Sequence, residues 1–148
     1  RRIAKERPDA AALAGAIGLI WATLVLGAGM IANVAVEHIH ALAGDPEAAA
    51  ELWSTLHAVE SGLGGGNEIA GGAWILTVSL AALASGVFGR ITAGIGAVSG
   101  IAGLVTILPP LGEIAGAVFG LGAILWFVAA GLVLLRQGRT SFVREISA

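Results

Sequence analysis

The chain has 148 residues, of which 57% are hydrophobic and only 12% are charged, with a net charge of −2. A soluble domain carries about 25% charged residues, and long segments of this chain carry none, so the composition indicates an integral membrane protein. The sequence has no cysteine, which excludes disulfides, iron–sulfur clusters and thiolate zinc sites. It also has no basic groove, so we expect no nucleic-acid partner.

Four apolar segments are long enough to cross a membrane as helices. Each has about 18 residues or more, and a hydrocarbon core of roughly 30 Å is crossed by about 20 helical residues. The spans are predicted at residues 10–36, 69–87, 91–108 and 114–135. We therefore expect an all-α protein with a single transmembrane domain over residues 1–148: an integral membrane four-helix bundle, with an extra amphipathic helix on its outer face.

The extra helix is predicted at residues 46–61, between the first and second spans. "GDPEAAAELW" is typical of a helix start, with Asp45 as the N-cap and Pro46 at the first helical position. The glycines from Gly62 to Gly66 weaken a helix. Two interpretations stay open: the helix breaks there and restarts at Asn67, or one long helix runs from residue 46 to residue 84.

Small residues recur at four-residue spacing within the spans, which favours close helix crossings. Such spacings are too common in a chain with 23 glycines to indicate a dimer. They occur at Ala14 and Gly18, at Gly96 and Gly100 with Gly103 one turn further, and at Gly112, Gly116 and Gly120.

The basic residues predict the orientation of the four spans. All eight fall in the N-terminal tail, the short loop at Arg90 or the C-terminal tail, which four spans place on one side. The segment from residue 37 to residue 68 has several carboxylates and no Lys or Arg. We therefore expect a multi-pass protein of the bacterial inner (plasma) membrane, with both termini in the cytoplasm.

The stretch "HAVESGLGGGNEIAGG" gathers the candidate ligand-binding residues His57, Glu60, Asn67 and Glu68. His57 and Glu60 are three residues apart on the outer helix, and Asn67 and Glu68 follow the glycines. Ionisable groups near membrane depth are candidates for a functional site. The simpler alternative is a helix pair in which His57 and Glu60 satisfy each other near the interface.

Three histidines on the predicted outer side are weak candidates for metal binding: His38, His40 and His57. Histidines and carboxylates at one depth suit Zn or another divalent cation, and two histidines suit haem or a chlorin. However, His38 and His40 point in different directions on a helix, and both also fit as solvated residues at a helix end. No cofactor is predicted, and haem, chlorin and divalent metal stay open as alternatives.

No familiar catalytic motif is present, so we expect a protein that is not an enzyme and has no catalytic residues. The sequence lacks G-x-S-x-G, H-E-x-x-H and a P-loop. The hydroxyl residues deep in the spans are expected to bond back to their own helices. They are Thr77, Ser79, Thr92, Ser99 and Thr106.

Three segments carry a resemblance to a known family: "GGGNEIAGGAWILTVSLAAL", "GRITAGIGAVSGIAGLVTILPPL" and "AVFGLGAILWFVAAGLVLLR". Over about residues 50–136 the chain resembles a family of small bacterial multi-span membrane proteins catalogued as a domain of unknown function. The resemblance implies a polytopic helical protein and no reaction.

Short loops, small-residue seams and the lack of a polar pathway favour an accessory or structural subunit of a larger membrane complex. Its partners would be membrane lipid and other membrane-protein subunits. One alternative is a small transporter or ligand-binding membrane protein that uses the polar residues of the outer face. A further alternative is a haem, chlorin or metal binder that uses the outer-face histidines.

Overall fold

The computed structural model describes the backbone of residues 2–146 and the side chains of residues 2–63 and 67–138. This part of the chain is helical and contains no strand, so the all-α prediction is confirmed. A 3-10 turn precedes the last helix. The elements are α1 Arg2–Glu6, α2 Pro8–Ala41, α3 Pro46–Ala84, α4 Arg90–Val105, the 3-10 turn Pro109–Leu111 and α5 Gly112–Ile146.

Three of the described segments are long and apolar enough to cross a membrane: Pro8–Ala41, Pro46–Ala84 and Pro109–Gly138. Helix α4 is apolar but has only 16 residues, shorter than the span predicted at 91–108. The chain leaves the helix at Thr106, just before Pro109 and Pro110, which have no amide hydrogen to continue it.

Helix α3 runs for 39 residues without a break. Of the two interpretations that the sequence left open, the structure has the second, one long helix over Pro46–Ala84. Contacts with α2 support the helix on both sides of the glycines, where Leu63 lies against Gly27 and Gly71 against Trp21. Lateral packing of this kind outweighs the low helix propensity of glycine.

Both ends of α3 follow local sequence rules. The Asp45 side chain accepts a hydrogen bond of 3.1 Å from the amide of Ala48, which confirms the predicted N-cap. At the other end, Gly86 has φ +63°, a left-handed conformation that glycine adopts without strain. This turn lets the amides of Val87 and Phe88 donate to the carbonyl oxygen of Ala82, and α4 then runs back along α3.

The long helices pack as antiparallel neighbours in chain order, α2 on α3, α3 on α4 and α4 on α5. The α3–α4 seam is the tightest. A Cβ atom added to Gly72 would lie 2.6 Å from the carbonyl oxygen of Gly100, and one added to Gly103 would lie 2.6 Å from that of Glu68. Since real Cβ atoms do not approach so closely, glycine is required at these positions, as in other small-residue helix seams.

An aromatic cluster joins α2, α3 and α5 with the turn before α4. Trp21 of α2 and Trp74 of α3 have ring centroids 5.5 Å apart, and Trp74 meets Trp126 of α5 edge-on at 5.7 Å. Phe88, next to the start of α4, also meets Trp126 edge-on, with ring centroids 6.0 Å apart. Contacts of this geometry contribute roughly 0.5–1.5 kcal/mol beyond area burial, so the cluster fixes how the helices meet.

The four helices overlap over only part of their length. Gly103, in the last turn of α4, packs on the backbone of Glu68. Gly116 of α5 lies beside the Glu68 carboxylate. Residues 25–41 of α2 and 46–67 of α3 therefore extend past α4 and α5 as a two-helix segment, which we call the distal hairpin. The rise of 1.5 Å per residue makes it about 25–33 Å long.

Candidate functional site

Glu68 lies where the distal hairpin joins the four-helix part. Its carboxylate is directed at Gly116 of α5, where an added Cβ atom would lie 3.0 Å from Oε1. The side chain is half-buried, and its carboxylate has no hydrogen-bond partner among the described residues. Gly116 lies in the first turns of α5, whose N-terminal end favours a negative charge. Glu68 is therefore placed as an acceptor that can take a cation or a hydrogen-bond donor.

Asn67 supplies a second free acceptor beside Glu68. Its Oδ1 atom is buried and has no hydrogen-bond partner within the described part of the chain. The indole Nε1 of Trp21 is likewise buried without a partner, and it packs against Gly71, one helical turn from Asn67. An unsatisfied buried polar group costs about 1–3 kcal/mol. A small ligand or water that bonded these atoms would relieve that cost.

His57 and Glu60 form a separate pair within the distal hairpin. His57 Nδ1 lies 3.6 Å from Glu60 Oε2, and the two side chains are 59% and 31% exposed. Trp53 stacks on the imidazole, with ring centroids 5.7 Å apart and an angle of 4° between the planes. This geometry matches the simpler alternative, a helix pair near the surface, and exposed pairs of this kind contribute little to stability.

The cavity at His57 and Glu60 is too small for an organic ligand. Its volume is about 20 Å³, and it lies between the two helices of the distal hairpin, beside Ala32 and Ala35. A single water molecule needs a cavity of about 10–15 Å³ on this scale. In this conformation the pair can hold a water molecule and nothing much larger.

The four predicted ligand residues therefore fall into two groups. Between His57 and Glu68 the continuous helix α3 advances about 11 residues, or roughly 16 Å along its axis. His57 lies together with Glu60, whereas Asn67 and Glu68 are neighbours along α3 whose side chains leave the helix about 100° apart. The reason for the separation is that α3 does not break at the glycines, so the chain does not fold back to bring the two groups to one level.

The three candidate metal-binding histidines are spread along the distal hairpin. His38 and His40 are exposed on the last turn of α2, whereas His57 lies on α3 beside Ala35. Across residues 2–63 and 67–138, no group of three or more His, Cys, Asp or Glu side chains is placed to hold a metal ion.

Sequence reasoning missed two interhelical polar positions, Ser99 and Ser79. The Ser99 hydroxyl donates to the carbonyl oxygen of Phe119 on α5, at 3.0 Å, rather than to its own helix. Ser79 Oγ is fully buried and has no partner in the described structure, and it lies with the unpaired Nε1 of Trp126 beside Gly96. The expected back-bonding is correct for Thr77 and Thr106, which donate to Ala73 and Gly103.

A sequence signal for the missed residues does exist on α4. Gly96, Ser99, Gly100 and Gly103 repeat at helical spacing and form one buried face. Small residues along one face bring the partner helices close enough for a serine hydroxyl to reach a neighbouring backbone.

An apolar groove of about 360 Å³ runs between α4 and α5. It is lined by residues within 98–105 and 111–118, all of them apolar. Binding sites for polar substrates combine apolar walls with a few directed polar groups, and this groove has none in its lining. Its chemistry suits a hydrocarbon chain.

No family model matches the chain, and neither a curated protein nor a solved structure matches it significantly. The resemblance to small bacterial multi-span proteins therefore stays a prediction.

Proposed function

We propose that this chain is a four-span bacterial inner-membrane protein and a non-enzymatic accessory or structural subunit of a larger membrane complex. The membrane location is supported by the mean hydropathy of +0.90 and the three long apolar segments. Helix α4 would be the fourth span, since its 16 residues rise roughly 24 Å and the apolar residues up to Leu108 extend it.

The observation that carries the proposal is the apolar length of α2. Residues 10–36 of α2 are about 27 residues long and rise roughly 40 Å, whereas the hydrocarbon core is about 30 Å thick. A tilt of about 40°, the upper end of the usual range, would be needed to immerse this length. Packing of α2 on α3, and of α3 on the 16-residue α4, opposes such a tilt.

Part of the apolar surface of α2 therefore extends beyond the lipid. In the distal hairpin, Met30 is 58% exposed and Val34 41%, and α4 and α5 do not reach them. Contiguous apolar surface that neither lipid nor the chain's own helices cover marks a protein interaction site. We therefore infer that another membrane subunit covers the distal hairpin.

A non-enzymatic role is supported by the polar groups within the four-helix part. Ser99 bonds a backbone carbonyl, and Ser79 makes no hydrogen bond to a histidine or carboxylate among the described residues. A nucleophilic serine is activated by an adjacent base. Among the described residues, neither Ser79 nor Ser99 is hydrogen-bonded to such a base.

The proposed orientation places both termini in the cytoplasm and the distal hairpin outside. Arg2 lies within 3.6 Å of a Cβ atom added to Gly86 at the α3–α4 turn, and Arg90 begins α4 at the same end. Arg1, Arg139 and Arg144, which the sequence argument also used, lie outside the residues whose side chains are described. Basic residues at one end support the positive-inside orientation.

The proposal is tested by capturing the tagged protein from native membranes in mild detergent and identifying what is retained. We expect at least one other membrane polypeptide in constant ratio, and reduced retention in the Met30→Ser, Val34→Ser variant. The matched control is Ile91→Ser, since Ile91 is 81% exposed on α4 away from the distal hairpin. A protein that is captured alone contradicts the proposal.

A second candidate function, binding of a small cation or polar ligand in a transporter or receptor, is favoured by Asn67 and Glu68. Both offer oxygen atoms without partners in the described structure, and oxygen is the ligand that hard cations prefer. The test is thermal unfolding in detergent with added Na⁺, Ca²⁺ or Zn²⁺. Stabilisation that is lost in Glu68→Gln and kept in Glu113→Gln supports a binding site at Glu68. Equal responses of both variants would contradict this second function.

A further inference from the structure

A stripe of exposed residues runs along the whole of α2 with alternating spacings of three and four. Every member is exposed, and the stripe faces away from α3. Spacing of this kind is the a/d pattern of two helices that pack in parallel with a left-handed twist. The a positions are Ala12, Leu19, Leu26, Asn33 and His40, and the d positions are Gly15, Ala22, Gly29 and Val36.

The glycines of this stripe have no role within the chain. A Cβ atom added to Gly15 or Gly29 would meet nothing within 4 Å. By contrast, one added to Gly18, on the face towards α3, would lie 2.9 Å from the Trp74 ring. Glycine in a helix costs about 1 kcal/mol relative to alanine. Small residues at every d position of the first three heptads instead suit the close approach of a helix from outside.

Asn33 indicates that the approaching helix is α2 of a second copy of this chain. It is an exposed amide in an otherwise apolar part of the stripe, and it has no hydrogen-bond partner among the described residues. All copies of a membrane protein have the same orientation, so two α2 stripes meet in parallel and in register. Each Asn33 then faces the other, and a single asparagine at an a position is known to fix such a register.

The stripe is also large enough to hold a pair together. From Ala12 to His40 it is roughly 42 Å long. If a third of the helix circumference is covered on each copy, the pair buries roughly 1,100 Å² in total, above the roughly 1,000 Å² that a biological interface must clear and below the about 1,200–2,000 Å² of the most stable class.

We propose that two copies of this chain pair through the a/d stripe of α2, in parallel, about an axis normal to the membrane. The inference rests on the membrane location within the proposed function and names a second copy as one partner. Leu19 and Leu26 then interdigitate across the axis, while Gly15, Ala22 and Gly29 let the two backbones approach.

Because the chain contains no cysteine, single cysteines report the pairing without background. Cysteines are introduced one at a time at Gly15, Ala22, Gly29 and Asn33, and membranes of a host that expresses only this chain are oxidised. We expect roughly tenfold more covalent dimer at these positions than at Ile20→Cys on the next exposed stripe and Gly94→Cys on α4. Equal yields at stripe and control positions, or no dimer, would overturn the pairing.

A second variant separates pairing from folding. Gly29→Ile, in the Ala22→Cys background, adds a side chain whose Cβ atom meets nothing within 4 Å but which blocks the approach of a second α2. We expect the dimer yield to fall about tenfold, while the control Gly94→Ile, whose added Cβ is equally free, leaves it unchanged. An undiminished dimer with Gly29→Ile overturns the proposal.

The two proposals fail independently. If the host membranes give no dimer while native capture still retains another polypeptide, the pairing is wrong and the subunit function stands. If the dimer forms and native capture yields this chain alone, the pairing is supported and the subunit function is wrong.

Discussion

At the scale of single residues, the glycines of this chain fall into two classes that composition does not separate. Gly72, Gly100 and Gly103 lie at backbone contacts between α3 and α4, where any side chain collides. Gly94 of α4 and Gly120 of α5, by contrast, have open space where a side chain would begin. The helical spacing of the sequence indicates that small residues form seams, but only the packing shows which glycines are required.

The first prediction compares one glycine of each class on α4. Gly100→Ala places a Cβ atom 2.7 Å from the carbonyl oxygen of Gly72, and such overpacking costs roughly 1–3 kcal/mol. Gly94→Ala meets nothing and should be neutral or stabilising by up to about 1 kcal/mol. Both variants are compared by their free energy of unfolding in detergent micelles. Equal effects of Gly100→Ala and Gly94→Ala would contradict the α3–α4 seam.

The second prediction concerns the hydroxyl of Ser99. Its bond to Phe119 joins α4 to α5, so Ser99→Ala should destabilise the protein by about 0.6–1.7 kcal/mol. Thr77→Val is the control, since Thr77 bonds only the carbonyl oxygen of Ala73 within α3, and its loss should change less. The same unfolding titration measures both, and a larger effect of Thr77→Val would refute the interhelical bond.

At the scale of elements, helix starts were predictable and helix continuity was not. The Asp45 cap and the Pro46 start follow from local chemistry. A break at Gly62 to Gly66, one of the two interpretations, follows from the same local rules, yet α3 continues, because α2 packs on it both before and after the glycines. Helix propensity is a local property and does not include this tertiary contact.

The third prediction tests the continuity of α3 by a distance. Spin labels at Thr55 and Leu80, both exposed, are about 25 residues apart, so a straight helix separates their backbones by roughly 38 Å. The same spacing on α2, between Ala12 and Glu37, is the matched control. We expect similarly narrow distance distributions from pulsed electron paramagnetic resonance for both pairs of labels. A broad or clearly shorter distance on α3 would show a break.

At the scale of the whole molecule, the helical class and the approximate positions of the apolar segments follow from hydropathy, since the spans must be apolar and long. The grouping of the candidate site does not follow. The sequence places His57, Glu60, Asn67 and Glu68 in one stretch, but a straight helix separates them along its axis. The buried Ser79 and Trp126 come together only because three helices converge at Gly96.

The fourth prediction concerns the orientation in the membrane. Gly44→Cys lies in the turn of the distal hairpin and Gly89→Cys just before α4, and neither added side chain meets an atom within 4 Å. In intact cells, a membrane-impermeant thiol reagent should label Gly44→Cys and not Gly89→Cys, because basic ends face the cytoplasm. Labelling of Gly89→Cys alone would show the opposite orientation.

The central claim is that another protein covers the apolar surface of the distal hairpin. Val34 reports on it directly, since it is 41% exposed and lies outside the a/d stripe of α2. A photoreactive side chain at Val34, activated in native membranes, should give an adduct that contains a second kind of polypeptide. Adducts with lipid alone, or with this chain alone, would contradict the claim.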